Sequence, residues 1–389
     1  MITTAIASLG VILGAPGLVG AVHLGSLVVG SWFYREPRLS EGSEVRFLVL
    51  VPAHNEERVI GDALDAINAD LRPRDVVLVV ADRCTDRTAE IARSLGALVL
   101  ERGPQEPGGR AAARQAGLEH ARALKWDAVL MLDADSVIEP GFFSGCERAL
   151  SSGAMAVQAR SESGRGRTLA TEVSLAAFTL QGITIPRGRD RLGVSVRLRG
   201  TGMAIRRELA LAHRFHAPAS EDLFFTLDLL LEGVRCRHVD TARLRSQGAS
   251  TWSAFGGQKV RYEAGRMSAA RAYLTRLLYR GVSQHDAACL EAAWFLASPP
   301  FALGAVSLML GGALSALAGA WPLAAVFAAG LLALVLGLFT GLVQARAGLR
   351  TWLALCITPW YLAWKTVIQL RAAASVLRRD DYYGPTARA

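Results

Sequence analysis

Asp133 and Asp135 stand one residue apart just beyond a short apolar run, Ala128–Leu132. If that run is a buried strand, a bent chain after it can present both carboxylates to one cavity. Two carboxylates held so close repel unless a cation sits with them. A hard divalent ion, Mg2+ or Mn2+, bridging phosphate oxygens accounts for the pair economically. Two other strand-like runs end in comparable clusters, Pro52-Ala53-His54-Asn55-Glu56-Glu57 and Asp82-Arg83-Cys84-Thr85-Asp86. A further acidic pair, Glu221-Asp222, opens an apolar helical stretch. Gly200-Thr201-Gly202 precedes another strand, where glycine permits close backbone approach to a ligand. Each cluster also has a plainer reading. Asp86, Ser136 or Ser220 could cap the helix that follows, and acids such as Glu221 and Asp222 are favoured in a first helical turn.

The elements that would carry these residues alternate. Arg46–Val51, Val76–Ala81, Ala97–Leu100 and Ala128–Leu132 are apolar runs, and Glu56–Ala69, Thr85–Leu95 and Arg110–Ala123 between them have helical character. Strands apolar on both faces predict a parallel sheet covered by helices, an open doubly wound α/β fold. Ligands of such sheets sit beyond the carboxyl ends of the strands, where the acidic clusters fall. The first strand is not followed by Gly-x-Gly-x-x-Gly, and the chain has no Walker A sequence, which disfavours dinucleotide and ATP binding. Farther on, Ala154–Ala159 and Cys236–Asp240 read as strands, Arg160–Arg167 as a polar loop and Leu169–Gly182 as a helix. A hydrolase is the weaker enzyme alternative. Ser195 and Ser220 lack a Gly-x-Ser-x-Gly elbow, and His213 and His216 read as packing residues.

Composition adds a membrane. Of 389 residues 51% are apolar and 20% charged, yet mean hydropathy is +0.28, so the apolar residues must be gathered into blocks. That excludes a disordered chain and argues against an ordinary soluble enzyme. The net charge of +9 suits an anionic membrane surface or a phosphate-bearing substrate as well as nucleic acid, which is not expected as a partner. Five cysteines without metal-ligand or redox spacing leave a disulfide framework or zinc site unsupported. Ala5–Ser31 carries no formal charge and is long enough to span a bilayer, with Trp32, Tyr34 and Arg35 at its edge. A signal peptide would be shorter and follow a basic segment. Residues 295–318 and 320–343 form a second, hairpin-like block. Thr351–Leu370 is a further candidate, weakened by Pro359 and by Lys365, which would have to snorkel. Four spans are expected, or three and an interfacial helix, with residues 35–290 on the cytoplasmic side.

Taken in order, these motifs resemble the membrane-bound family 2 glycosyltransferases over roughly residues 45–265. The resemblance implies the GT-A fold, a doubly wound mixed sheet, and inverting transfer from a nucleotide sugar. Pro52, Ala53, His54, Asn55 and Glu56 match the motif lining the nucleotide pocket, and Asp82 the aspartate that contacts the base. Asp133 matches the Asp-x-Asp residue facing the nucleotide, and Asp135 the one holding the metal on the diphosphate. Glu221 and Asp222 match the catalytic pair, Asp222 being the base, while Gly200 and Gly202 border the acceptor. Gln258, Arg261 and Tyr262 match the Gln-x-x-Arg-Trp motif, although Trp is the usual third residue. Gly108-Gly109-Arg110 stands where Gly-Lys-Gly is common, so Arg110 replaces a lysine. Both departures blur the subfamily.

The expected organisation is an N-terminal transmembrane helix (1–34), a GT-A domain (35–263), amphipathic interfacial helices (264–293), a transmembrane hairpin plus third helix (294–374) and a tail (375–389). The expected activity is Mg2+- or Mn2+-assisted sugar transfer, with a UDP-linked donor as default, to a lipid or lipid-linked hydroxyl. It would take place at the cytoplasmic face of a bacterial membrane, with a homo-oligomer or membrane partner left open. A processive polysaccharide synthase and a non-catalytic membrane scaffold are the alternatives.

Overall fold

Side chains alternate along Phe47–Ala53, and the alternation sorts the helices of the α/β unit into two layers. In this computed structural model the chain runs α1 (Ile2–Trp32), β1 (Phe47–Ala53), α2 (Ile60–Asp70), β2 (Val76–Asp82), α3 (Thr88–Ser94), β3 (Leu98–Arg102), α4 (Arg110–His120), β4 (Ala128–Met131), β5 (Ser136–Ile138), α5 (Phe142–Ser151) and β6 (Ala156–Ser163). It continues through α6 (Ile185–Arg191), β7 (Met203–Arg206), α7 (Arg207–Ala212), α8 (Glu221–Leu231), β8 (Arg237–Ser246), α9 (Trp252–Ser283), α10 (Ala287–Ala297), α11 (Phe301–Leu317), α12 (Trp321–Gln344), α13 (Leu349–Ala354) and α14 (Thr358–Arg378). The structure describes residues 1–36, 44–163, 172, 175, 178–215, 220–246 and 252–378. For 163, 252–259, 357, 372, 373 and 375–378 it describes the backbone alone.

Residues 35–164 and 194–248 pack as one compact unit, and 1–34, 165–193 and 249–389 as another. The expected division kept 35–263 together. Residues 165–193 join the helices instead because α6 lies against α1: a Cβ on Gly188 would stand 2.1 Å from the Leu27 carbonyl oxygen.

In the α/β unit, Phe47, Val49 and Val51 point into a core with Ile60 and Leu64 of α2, Ala92 of α3 and Phe142 of α5. Leu48 and Leu50 point the other way, toward Ala113 and Leu118 of α4, Leu209 of α7 and Phe225 of α8. The strand order is β3-β2-β1-β4-β7-β6-β8-β5. The first four strands pair in parallel, as their apolar sequence predicts. β7 then runs antiparallel to β4 and β6, which makes the sheet mixed. The expected loop 160–167 is strand as far as Ser163, because β8 extends to Ser246 and supplies its ladder, from Arg160↔Arg243 to Ser163↔Ser246. β5 is too short to show a period in sequence. Half of the expected helix 169–182 lies outside the described residues, and the described half is helical.

In the helical unit, α1 meets α11 through small residues: a Cβ on Gly17 would come within 2.4 Å of the Gly304 carbonyl oxygen. Close backbone approach of this kind is how helices associate where lipid removes the hydrophobic driving force. Two helices, α1 and α12, are long and apolar enough to cross a membrane, with mean hydropathies of 2.0 and 2.5. These give the chain its membrane character. The span expected at 295–318 is broken, since α10 and α11 meet at 72° across Ser298-Pro299-Pro300. Proline lacks the backbone donor and pushes the preceding residue out of the helical region. The segment expected at 351–370 is divided by a 3-10 turn at Leu355–Ile357. Lys365 does not snorkel but bonds Glu263 Oε1 at 3.2 Å. Among the described residues the spans therefore number two, or three if the bent pair is one span.

Candidate active site

The carboxyl ends of β1, β2 and β4 bring His54, Asn55, Asp82 and Asp133 to one edge of the sheet. Around β1 and β2 the polar side chains are largely spent on each other. His54 Nδ1 lies 2.6 Å from the Asp82 carbonyl oxygen. Asn55, at φ 54°, accepts from the Thr85 backbone at 2.8 Å. Asp86 accepts from the backbone N–H of Thr88 and of Glu57, both at 3.0 Å, so its plainer reading as a cap is the one realised. Burial works against its charge, but those hydrogen bonds outweigh burial and hold its carboxyl below the ordinary range.

Asp82 is only 4% exposed. Arg102 Nη1 donates to its Oδ1 at 2.7 Å, and the Gly109 N–H to its Oδ2 at 3.1 Å. Arg102 also donates to the Pro107 carbonyl at 2.7 Å. The aspartate thus fixes the Gly108-Gly109 turn from which α4 and Arg110 start.

A second group forms where α4, the β4 end, the Gly200 turn and the start of α8 meet. Asp133 accepts loosely from Arg110 Nη1 at 3.4 Å and Arg114 Nη2 at 3.5 Å. Its backbone N–H donates to Thr201 Oγ1 at 3.1 Å, and its carbonyl accepts from the Ser136 N–H at 2.9 Å, which sets the turn carrying Asp135. Arg114 has a side chain with no exposure at all. It donates to Glu221 Oε1 at 2.9 Å and to the Gly200 carbonyl at 2.6 Å. Gly200 and Gly202 have φ of 83° and 68°, the left-handed conformation that favours glycine.

The acidic pair of α8 divides. Glu221 turns inward to Arg114, while Asp222 is half-buried, with Oδ1 accepting from the Leu223 N–H at 2.8 Å. A Cβ on Gly200 would stand 3.5 Å from Arg114 Nη2, 3.5 Å from Asp222 Oδ2 and 3.6 Å from Arg110 Nη1, so the three side chains converge on this turn. Ser220 makes no side-chain cap; it adopts φ 59°. Burial, then the Glu221 charge, pushes the Asp222 carboxyl up to about 6, against the pull of Arg197 and Arg114. Asp133 first, then Glu221, Asp135 and Asp222, hold the Arg110 proton more firmly than usual against the effect of burial. One cation therefore senses four carboxylates.

Among the described residues no three His, Cys, Asp or Glu side chains gather into a metal cage. The donor set nevertheless suits a hard cation of the Mg2+ or Mn2+ type, which takes one or two carboxylates and completes its shell with substrate phosphates and water. Asp133 and Asp135 would supply those two.

Arg114 and Arg102 escaped sequence reasoning. The signal for Arg114 was its place in the apolar stripe of α4, where Ala113, Gly117 and Leu118 are also buried. Ser195 is structural, accepting from the Cys236 N–H at 3.1 Å, and His213 pairs with Glu232 at 3.2 Å; His216 lies outside the described residues. Gln258, Arg261 and Tyr262 belong to α9, in the helical unit, and their spacing puts them on one helix face. The Gln258 side chain lies outside the described residues.

The family described as Glycosyltransferase like family 2 matches residues 45–264, more than half the chain. The chain belongs to that family. It is a family 2 glycosyltransferase with a GT-A-like mixed α/β fold. A mannosyltransferase from Pyrobaculum calidifontis, solved with GDP-Man and Mn2+, shares the fold at a TM-score of 0.57 and 17% identity, covering 95% of this chain and 100% of that one. The probable glycosyltransferase YdaM of Bacillus subtilis is 24% identical over 242 residues, 59% of this chain and 57% of its own length. A 4,4'-diaponeurosporenoate glycosyltransferase of Staphylococcus aureus is 37% identical over 90 residues, 22% of this chain and 23% of that protein. The chain thus spans little more than half of the first of these two relatives and under a quarter of the second.

Proposed function

We propose that this glycosyltransferase moves a sugar from a nucleoside diphosphate donor, UDP-linked by default, to a hydroxyl of a lipid or lipid-linked acceptor at the cytoplasmic face of a bacterial membrane. The observation that carries the reading is the convergence at Gly200 of a carboxylate and two cations: a Cβ there would stand 3.5 Å from Asp222 Oδ2, 3.5 Å from Arg114 Nη2 and 3.6 Å from Arg110 Nη1.

Asp222 is the general base. Its Oδ1 is held by the Leu223 N–H, which leaves Oδ2 to take the acceptor proton. A base of pKa about 6 is ionised at neutral pH yet basic enough to share a proton in the transition state. Attack opposite the leaving diphosphate inverts the anomeric carbon, and one protein carboxylate suffices, unlike sugar hydrolysis with its two opposed acids. Mg2+ or Mn2+ bound by Asp133 and Asp135 would supply positive charge to the diphosphate oxygens. Arg110 adds a second positive charge at the same edge. Glu221 and Arg114 hold the start of α8, and so Asp222, in place. Asp82 fixes the turn under Arg110 and borders the base, with Pro52, Ala53, His54, Asn55 and Glu56 beside it.

Membrane character supports an acceptor carried by lipid. Two or three spans among the described residues favour single transfer over processive synthesis, whose polymer needs a channel. The test is a panel of radiolabelled UDP- and GDP-sugars incubated with the detergent-solubilised chain, Mg2+ or Mn2+, and membrane lipid extract. An organic-extractable labelled product is expected. A high-mass ladder would favour the synthase, and donor binding without transfer to any acceptor would favour the scaffold.

A further inference from the structure

The last third of α1 carries a groove that sugar transfer does not use. Gly25, Ser26, Val29 and Phe33 share one helix face and form its floor; Arg191 and Leu192, at the end of α6, form a wall, and the cavity measures about 510 Å³. It exists because α1 lacks bulk there: a Cβ on Gly25 would meet nothing within 4 Å. Val29, Phe33 and Leu192 are 60%, 63% and 51% exposed, so the rim is apolar and uncovered. α1 is one of the two helices of spanning length, and the aromatic residues Trp32, Phe33 and Tyr34 mark the interfacial level at its end. Arg191 stands at that end, exposed, with no ion pair or hydrogen bond among the described residues. An apolar slot of small-ligand size that ends in an unpaired cation matches an amphiphile with a hydrocarbon chain and a negatively charged head.

We propose that this groove binds one anionic glycerophospholipid of the surrounding bilayer, a chain lying along α1 and the phosphate on Arg191. Charge complementarity selects this occupant over a zwitterionic lipid, whose own ammonium competes for the phosphate. The lipid is a resident of the helical unit, distinct from the acceptor, so the site stands or falls separately from the transfer reaction.

Native mass spectrometry of the full chain in neutral detergent, titrated with phosphatidylglycerol and with phosphatidylcholine of the same chains, tests this. One phosphatidylglycerol should be retained per chain, with about a five-fold preference, the order one surface arginine confers. Arg191→Gln should reduce retention to the phosphatidylcholine level. Gly25→Leu, whose side chain enters open space, should lower retention of both lipids while leaving the melting transition unchanged. Inorganic phosphate should not displace the bound lipid. Equal retention of the two lipids, a preference that survives Arg191→Gln, undiminished binding to Gly25→Leu, or displacement by phosphate alone would overturn the proposal.

Discussion

Arg114 and Glu221 form a buried ion pair, Nη1 to Oε1 at 2.9 Å, between helices whose residues stand 107 positions apart. The same guanidinium reaches the Gly200 carbonyl and, more loosely, Asp133. One buried cation therefore sets the separation of three segments that carry the reacting groups. Breaking a buried pair from one side leaves an uncompensated charge and costs about 3–5 kcal/mol. Arg114→Met should destabilise the chain by that order in denaturant unfolding in detergent. Arg114→Lys should recover little, because lysine lacks the planar fork that serves three acceptors. Replacing both partners with apolar residues should cost less than either single change.

Asp82 and Arg102 make the corresponding pair at the other side of the site, 2.7 Å apart and both nearly buried. Asp82→Asn should weaken UDP binding, because it loosens the Gly109 turn beneath Arg110, and should lower the melting temperature as well. Arg102→Met should do the same to stability without removing any group facing the base. Isothermal titration with UDP beside a thermal melt separates the two effects; an Asp82→Asn chain that melts normally and loses only UDP affinity would leave Asp82 a base contact and nothing more.

Metal dependence is expected if Asp133 and Asp135 hold a divalent cation as proposed. Treatment with EDTA should abolish transfer, and Mn2+ or Mg2+ should restore it. Asp135→Asn should raise the metal concentration for half-maximal activity by more than about ten-fold, the lower end of what even outer-shell partners contribute. Activity indifferent to EDTA would remove the cation from the scheme.

The pH dependence has a definite sign. A base must be ionised to act, so kcat/KM should fall as pH drops through about 6 and level off above it. Stability moves the opposite way. A carboxyl raised above its unfolded value favours folding while protonated, and that contribution is lost as pH rises through about 6. Asp222→Asn should therefore melt higher than the parent at pH 8 and equally at pH 4. Melting curves at the two pH values read this directly.

The apolar strands Arg46–Val51, Val76–Ala81 and Ala128–Leu132 were legible because burial on both faces leaves nothing polar in them. The acids at their ends were legible because the strands isolate them. The antiparallel insertion of β7 and the length of β8 were not, since strand direction and ladder partners are set by residues far off in sequence. Arg114 was hidden by its type: an arginine in an alanine-rich helix reads as surface until its partners, Glu221 and the Gly200 carbonyl, are seen. The break within 295–318 was not legible, because the run is apolar throughout and composition alone does not weigh two adjacent prolines against helix continuity.

Asp222 carries the central claim. Asp222→Asn keeps the shape of the side chain and removes its basicity, so single-turnover transfer should slow by about 10²–10⁴-fold, the usual worth of a general base. Donor affinity, measured on the same preparation, should stay within a factor of about two, because Asp222 holds no part of the diphosphate in this scheme. Unchanged transfer in Asp222→Asn, or a loss fully accounted for by weaker donor binding, would contradict it.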